Sequence, residues 1–180
     1  MLTVGDAFPE LRLRAIVGND AHRDVVELTH LDYPGLWKVW FAWPNDFTQV
    51  CPTEIVAFAQ RHADFVERDA QVLGFSVDSI HAHRAWRHQN PDLKDLPYPM
   101  VSDPARKLAT ALGILHPEEG VAMRATFVVD PDNRIRWACC SDLAIGRNVD
   151  EVLRVLSALQ SGGLCACGWE PGDALLDASD

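Results

Sequence analysis

The residues of this chain best suited to chemistry lie in one stretch, Trp40 Phe41 Ala42 Trp43 Pro44 Asn45 Asp46 Phe47 Thr48 Gln49 Val50 Cys51 Pro52 Thr53 Glu54. An apolar run from Leu36 to Trp43 reads as a buried strand, and Pro44 stops it. Pro52, followed by apolar residues at helical spacing, reads as the first turn of a helix. Cys51 therefore stands where a loop becomes a helix. Free backbone N–H groups and the positive end of the helix dipole favour a thiolate there, and the thiolate is the nucleophilic form of cysteine. Thr48, three residues earlier, can aim a hydroxyl at the same point.

Four more thiols follow, Cys139, Cys140, Cys165 and Cys167. Five cysteines so unevenly placed in 180 residues do not form the even framework of a small secreted scaffold. They read as catalytic, redox or metal-binding thiols. Zinc held by Cys139, Cys140, Cys165 and Cys167 is disfavoured, because pairs with one residue or none between them suit tetrahedral coordination poorly. His81, His83 and His88 fall on one predicted helix with at most His81 and His88 on a common face, and no carboxylate or cysteine joins them at ligand spacing. A solvated helix surface is the expectation for them, and neither a metal nor a cofactor is expected in this chain.

Pro44, Thr48 and Cys51 followed by Pro52-Thr53-Glu54 resemble the active-site loop of the peroxiredoxins, and within them the peroxidase subunit of bacterial alkyl hydroperoxide reductases of the typical two-cysteine type. The similarity continues through Val77-Asp78-Ser79, residues 97–103, residues 124–130 and residues 146–151, and it reaches Leu164-Cys165-Ala166-Cys167-Gly168-Trp169. The tail with two cysteines one residue apart resembles the actinobacterial branch. Nearly the whole chain is covered.

The resemblance implies a thioredoxin fold and reduction of hydrogen peroxide and organic hydroperoxides, in antioxidant defence and redox homeostasis. Such a site needs an activated thiolate, donors for both peroxide oxygens and exclusion of water. Cys51 is the implied nucleophile, the first-turn amides and Thr48 candidate donors, and Pro44 the shield. Arg124 is placed by the resemblance beside the thiolate, and Arg147 as the arginine that ties its loop to Glu54. The sulfenic acid formed on Cys51 needs a resolving thiol. Cys165 matches that position, with the bond formed between two subunits of an antiparallel dimer, often assembled into a ring. Cys167 is either a relay for the disulfide or a spare thiol that rescues Cys165. The implied electron donor is a small helical Cys-x-x-Cys reductase of the AhpD type, with thioredoxin as the alternative. Gln49, where a large apolar residue is usual, and the pair Cys139 and Cys140 depart from the family pattern.

The elements that must position these residues are legible in outline. Strands are expected over residues 11–15 and 25–28, joined through Gly18-Asn19-Asp20 as a hairpin decorating the main fold. A helix runs from Pro52 to Arg68, a strand over residues 70–77, and a second helix from a cap at Asp78 or Ser79. Residues 91–103 read as loop and residues 104–112 as a helix started by Asp103 and Pro104. Strands over 125–130 and 134–140 flank the turn Pro131-Asp132-Asn133, and an amphipathic helix spans 148–160. The pattern alone describes an α/β domain over residues 1–160, followed after Gly162-Gly163 by a mobile tail, residues 161–180.

With 48% hydrophobic residues the chain can bury one sizeable core. Its net charge of -10 with no basic run disfavours nucleic acid and anionic membranes as partners. Charged residues at Asp6, Glu10, Arg12 and Arg14 rule out a signal peptide or span at the N-terminus, so a cytoplasmic protein is expected. Two rival functions differ in class. A thiol-disulfide oxidoreductase would want Cys-x-x-Cys at the helix start, where this chain has Cys51-Pro52-Thr53-Glu54. A chaperone-like ring protein is compatible as an additional role.

Overall fold

The computed structural model describes residues 1–18 and 24–177. Seven strands form one mixed sheet: β1 (Arg12–Ile16), β2 (Val25–Thr29), β3 (Trp37–Ala42), β4 (Ala70–Ser76), β5 (Met100–Ser102), β6 (Arg124–Val129) and β7 (Ile135–Ser141), in the order β2-β1-β5-β4-β3-β6-β7. β3, β4 and β5 run parallel, and the remaining neighbours pair antiparallel. Five helices accompany them: α1 (Cys51–Gln60), α2 (His62–Val66), α3 (Ile80–Gln89), α4 (Lys107–Ala111) and α5 (Val149–Ser161).

β3 is covered on both faces, which is why its residues from Val39 to Ala42 form an apolar run rather than an alternating one. Val39, Phe41 and Trp43 face one core, with Ile55 and Phe58 of α1, Trp86 of α3 and Val152 and Leu156 of α5. Trp40 and Ala42 face the other, with Phe75, Phe127, Phe8 and Leu108 of α4. The end of β3 and the start of α1 are thereby fixed by packing before any polar contact is made.

Several expected elements differ in detail. The predicted helix over residues 52–68 is two helices: the backbone turns at Arg61, whose φ and ψ of -97° and 9° are not helical. α4 begins later than expected, at Lys107, because Arg106 takes a left-handed conformation, while Asp103 accepts from the amides of Lys107 and Ala109. Met100–Ser102, expected as loop, is a strand between β1 and β4. That strand also corrects the reading of the first hairpin: β1 pairs with β5, so the hairpin extends the main sheet instead of decorating it. Most of its turn, Gly18-Asn19-Asp20, lies outside the described residues. Ser79, not Asp78, caps α3, accepting from the amide of Ala82.

The tail packs back on α5. Trp169 is buried, its carbonyl accepts from Arg154 and its indole N–H donates to Asp173, while Leu164 and Leu176 form a short bridge. No helix among the described residues is long and apolar enough to cross a membrane.

Candidate active site

α1 starts at Cys51 itself, with Val50 as a cap that offers no side-chain bond and Pro52 in the first turn. Pro52 has no N–H to give, and the Thr53 amide donates to the Val50 carbonyl at 3.1 Å. The Cys51 amide is thus the first-turn donor next to the sulfur. Cys51 is fully buried, and Pro44, also buried, closes the strand that leads into its loop.

A strand start and the segment leading into α5 bring the cations. Arg124 opens β6, whose partner β3 carries the chain toward Cys51, and its Nη1 stands 3.3 Å from Cys51 Sγ. The same nitrogen donates to Glu54 Oε2 at 2.6 Å, and Nε donates to the Leu143 carbonyl at 2.7 Å. Arg147 lies just before α5 and meets Glu54 from the other side. Its Nε and backbone amide donate to Oε1 at 2.8 Å, and Nη2 donates to Oε2 at 2.9 Å. Nη1 of Arg147 donates to the Ala125 carbonyl at 2.8 Å, and its guanidinium lies over the Phe41 ring.

The side chains of Arg124, Glu54 and Arg147 are 4%, 2% and 3% exposed. Two guanidinium groups thus face one carboxylate away from water, where an uncompensated charge is costly. The Cys51 sulfur lies against the Arg124 side of this group. Glu54 accepts from one nitrogen of Arg124 and from two side-chain nitrogens of Arg147, holding both by charge-assisted bonds.

The family resemblance implied that Cys51, Glu54, Arg124 and Arg147 come together, and the structure brings them together. Thr48 is placed differently: its hydroxyl donates to the Asn45 carbonyl at 3.2 Å and is exposed, so the expected aim at Cys51 is absent from this arrangement. Cys165 and Cys167 are not at this site. Cys165, half-buried, has Sγ 3.5 Å from Ser161 Oγ and lines a hollow of about 530 Å³ with Trp137, Glu151, Arg154 and Gly163, whereas Cys167 is exposed. Cys139 and Cys140 alternate on β7, half-buried and exposed. Burial pushes both of their thiols up, which disfavours them as nucleophiles. All five cysteines are free. Among the described residues no group of three or more His, Cys, Asp or Glu is placed to hold a metal ion.

One polar pair escaped the sequence reading. His83, expected on a solvated helix surface, is fully buried; its Nδ1 lies 2.7 Å from Asp46 Oδ2 and its Nε2 3.1 Å from the Val101 carbonyl. Asp46 Oδ1 accepts from the Trp43 indole at 2.9 Å, and its amide donates to Asp78 Oδ2 at 2.9 Å. Burial raises the Asp46 carboxyl, while the His83 contact pulls it the other way. The signal was available: His83 lies three residues from both Ile80 and Trp86, on the buried stripe of α3.

Comparison with known proteins agrees with this geometry. Residues 4–138 match the model of the AhpC/TSA family. Alkyl hydroperoxide reductase C of Mycolicibacterium smegmatis is 50% identical over an alignment of 188 positions that covers 100% of this chain and 96% of the relative, and the Mycobacterium tuberculosis protein of that name matches equally. The structure of Mycobacterium tuberculosis AhpC superposes with a TM-score of 0.86 at 49% identity, covering 94% of this chain and 99% of that one. A reduced 2-Cys peroxiredoxin from Plasmodium vivax gives a TM-score of 0.92 at 28% identity, covering 99% and 95%. The sheet and its helices are accordingly the thioredoxin-like fold in its peroxiredoxin form. On the family match and the full-length identity together, this chain belongs to the AhpC/TSA family and is a peroxiredoxin.

Proposed function

We propose that the protein is a two-cysteine thiol peroxidase, an alkyl hydroperoxide reductase in which Cys51 attacks hydrogen peroxide and organic hydroperoxides. The observation that carries this reading is the buried Cys51 sulfur 3.3 Å from Arg124 Nη1, within a cluster whose positive groups outnumber its carboxylate. Sulfur attacks the nearer peroxide oxygen and the O–O bond breaks. The leaving oxygen departs as water or alcohol after taking up a proton, and Cys51 is left as a sulfenic acid. Arg124 and the Cys51 amide donate to the oxygens as charge shifts between them. Thr48 joins them when its hydroxyl turns from the Asn45 carbonyl to the bound peroxide, and Pro44 keeps water from the sulfur.

Cys165 then condenses with the sulfenic acid, forming a disulfide and releasing water. Its position supports a second copy of this chain as its source. α5 has 13 residues and is therefore about 20 Å long, with Arg147 and its Glu54 contact before one end and Cys165 beyond the other. Three residues past Gly162 extend at most about 10 Å, which cannot bridge that length within one chain unless α5 unravels. Past Ile135, which exchanges backbone bonds with Gly5 and Asp6, the outer edge of β7 pairs with no other strand of the sheet among the described residues and offers a surface for an antiparallel dimer, the unit of a larger ring. A dithiol protein, of the helical AhpD type or thioredoxin, reopens the disulfide by exchange and becomes oxidised in turn. Cys167 passes the disulfide outward to that donor. The cytoplasm, where such donors keep thiols reduced, is the proposed compartment.

Replacing Cys51 with serine tests the reading. It removes the nucleophile with almost no change in volume, so peroxide consumption should vanish while the circular dichroism spectrum and melting temperature stay close to wild type. Retained turnover in Cys51→Ser would overturn it.

A further inference from the structure

Cys51 is fully buried, yet a thiol arriving from another chain must reach its sulfur. The loop that carries Cys51 therefore has to open between the peroxide step and disulfide formation. Between Pro44 and Gln49, Asp46 is the residue whose hydrogen bonds leave the loop among the described residues. They run to the Trp43 indole, to the Asp78 carboxylate and to His83, whereas the Thr48 hydroxyl bonds only within the loop. Asn45, Phe47, Thr48 and Gln49 are exposed.

The chemistry of the His83 contact fixes its protons. The Val101 carbonyl can only accept, so Nε2 of His83 carries a hydrogen. Nδ1 and Asp46 Oδ2, 2.7 Å apart, then share one further proton, whichever of them holds it. Val101 belongs to β5 and His83 to α3, so this proton-sharing pair joins the loop to a helix and to the sheet. Phe47, at a φ of 59°, adds a ring contact to Trp86, one turn further along α3, with centroids 5.8 Å apart.

We propose that Asp46 and His83 are positioning residues whose buried pair latches the Cys51 loop closed, favouring attack on peroxide and limiting the rate at which Cys51 emerges to form its disulfide. This rests on the peroxidase reading above. The latch makes opposite demands on the two steps: weakening it should slow the first and speed the second. A role confined to stability slows steps or lowers the melting temperature but accelerates nothing.

The test follows both phases by stopped-flow tryptophan fluorescence after one equivalent of hydrogen peroxide, on the full chain. An asparagine at position 83 puts its amide near the Nδ1 position and keeps a donor for Asp46; a glutamine reaches the Nε2 position and keeps only the Val101 contact. His83→Gln should slow the peroxide phase and speed disulfide formation by about tenfold, the scale of one hydrogen bond. His83→Asn should return both phases toward wild type. Asp78→Ala, at a half-buried site that holds the Asp46 amide, should shift both phases in the same directions and serves if His83→Gln does not fold. Disulfide formation no faster than wild type in the folded variants, or equal behaviour of His83→Gln and His83→Asn, would overturn the latch alone. A wild-type protein with no peroxide phase would overturn the peroxidase reading and the latch with it.

Discussion

The two ends of α5 present cysteine in opposite settings. Before its N-terminus, Cys51 is sealed among Arg124, Glu54 and Arg147, each of which makes several hydrogen bonds at 2.6–2.9 Å. Beyond its C-terminus, Cys165 and Cys167 sit in a tail fastened mainly through Trp169, and their sulfurs have only long contacts or none. Electrostatic preorganisation needs donors that do not move when charge develops, which the first setting provides. Thiol exchange needs access and freedom of approach, which the second provides. On the proposed reading, one chain divides its redox cycle between a sealed site and a more accessible one.

Breaking the rigid side should have the largest effect. Glu54→Ala leaves two buried guanidinium groups without their shared carboxylate, so unfolding free energy should fall by about 3–5 kcal/mol in a denaturant titration. A loss below about 1 kcal/mol would mean that the arginines reach water once Glu54 is gone. Arg124→Ala keeps Glu54 paired with Arg147 but removes the donor aimed at sulfur. Its peroxide step should slow by about 10²–10³-fold in stopped flow, the scale of one lost transition-state donor. An unchanged rate would make Arg124 structural only.

The exposed side should yield the smallest effect and sharpen the contrast. Cys167→Ser should leave the first turnover and the fold untouched and slow steady-state reduction by the dithiol donor several-fold. Equal steady-state rates with both an AhpD-type donor and thioredoxin would leave Cys167 as a spare thiol.

How far the sequence carries depends on which interactions are local. β3, the start of α1 at Cys51, α5 and the turn at Asn133 follow from periodicity, proline and turn chemistry over a few residues. β5 does not, because three residues among prolines become a strand only when β1 and β4 lie on either side. Arg124 and Arg147 lie 73 and 96 positions beyond Cys51, and nothing in their neighbourhoods marks them as buried; the family motif supplied them. The burial of His83 was legible from Ile80 and Trp86 on the same stripe of α3, but its pairing with Asp46, 37 residues away, was not, because neither the loop nor α3 signals the other. Thr48 was placed by spacing and by the family motif, and neither says which way a hydroxyl turns.

The central claim is that the buried thiol and the tail thiol of different chains form one redox couple. Equal amounts of unlabelled and isotopically heavy protein, mixed, re-equilibrated and treated with one equivalent of hydroperoxide, test it by peptide mapping under non-reducing conditions. The account predicts a Cys51–Cys165 disulfide containing one light and one heavy peptide in the statistical proportion. Cys51 joined to Cys165 only within chains of one label, or Cys51 left unmodified while peroxide disappears, would contradict it.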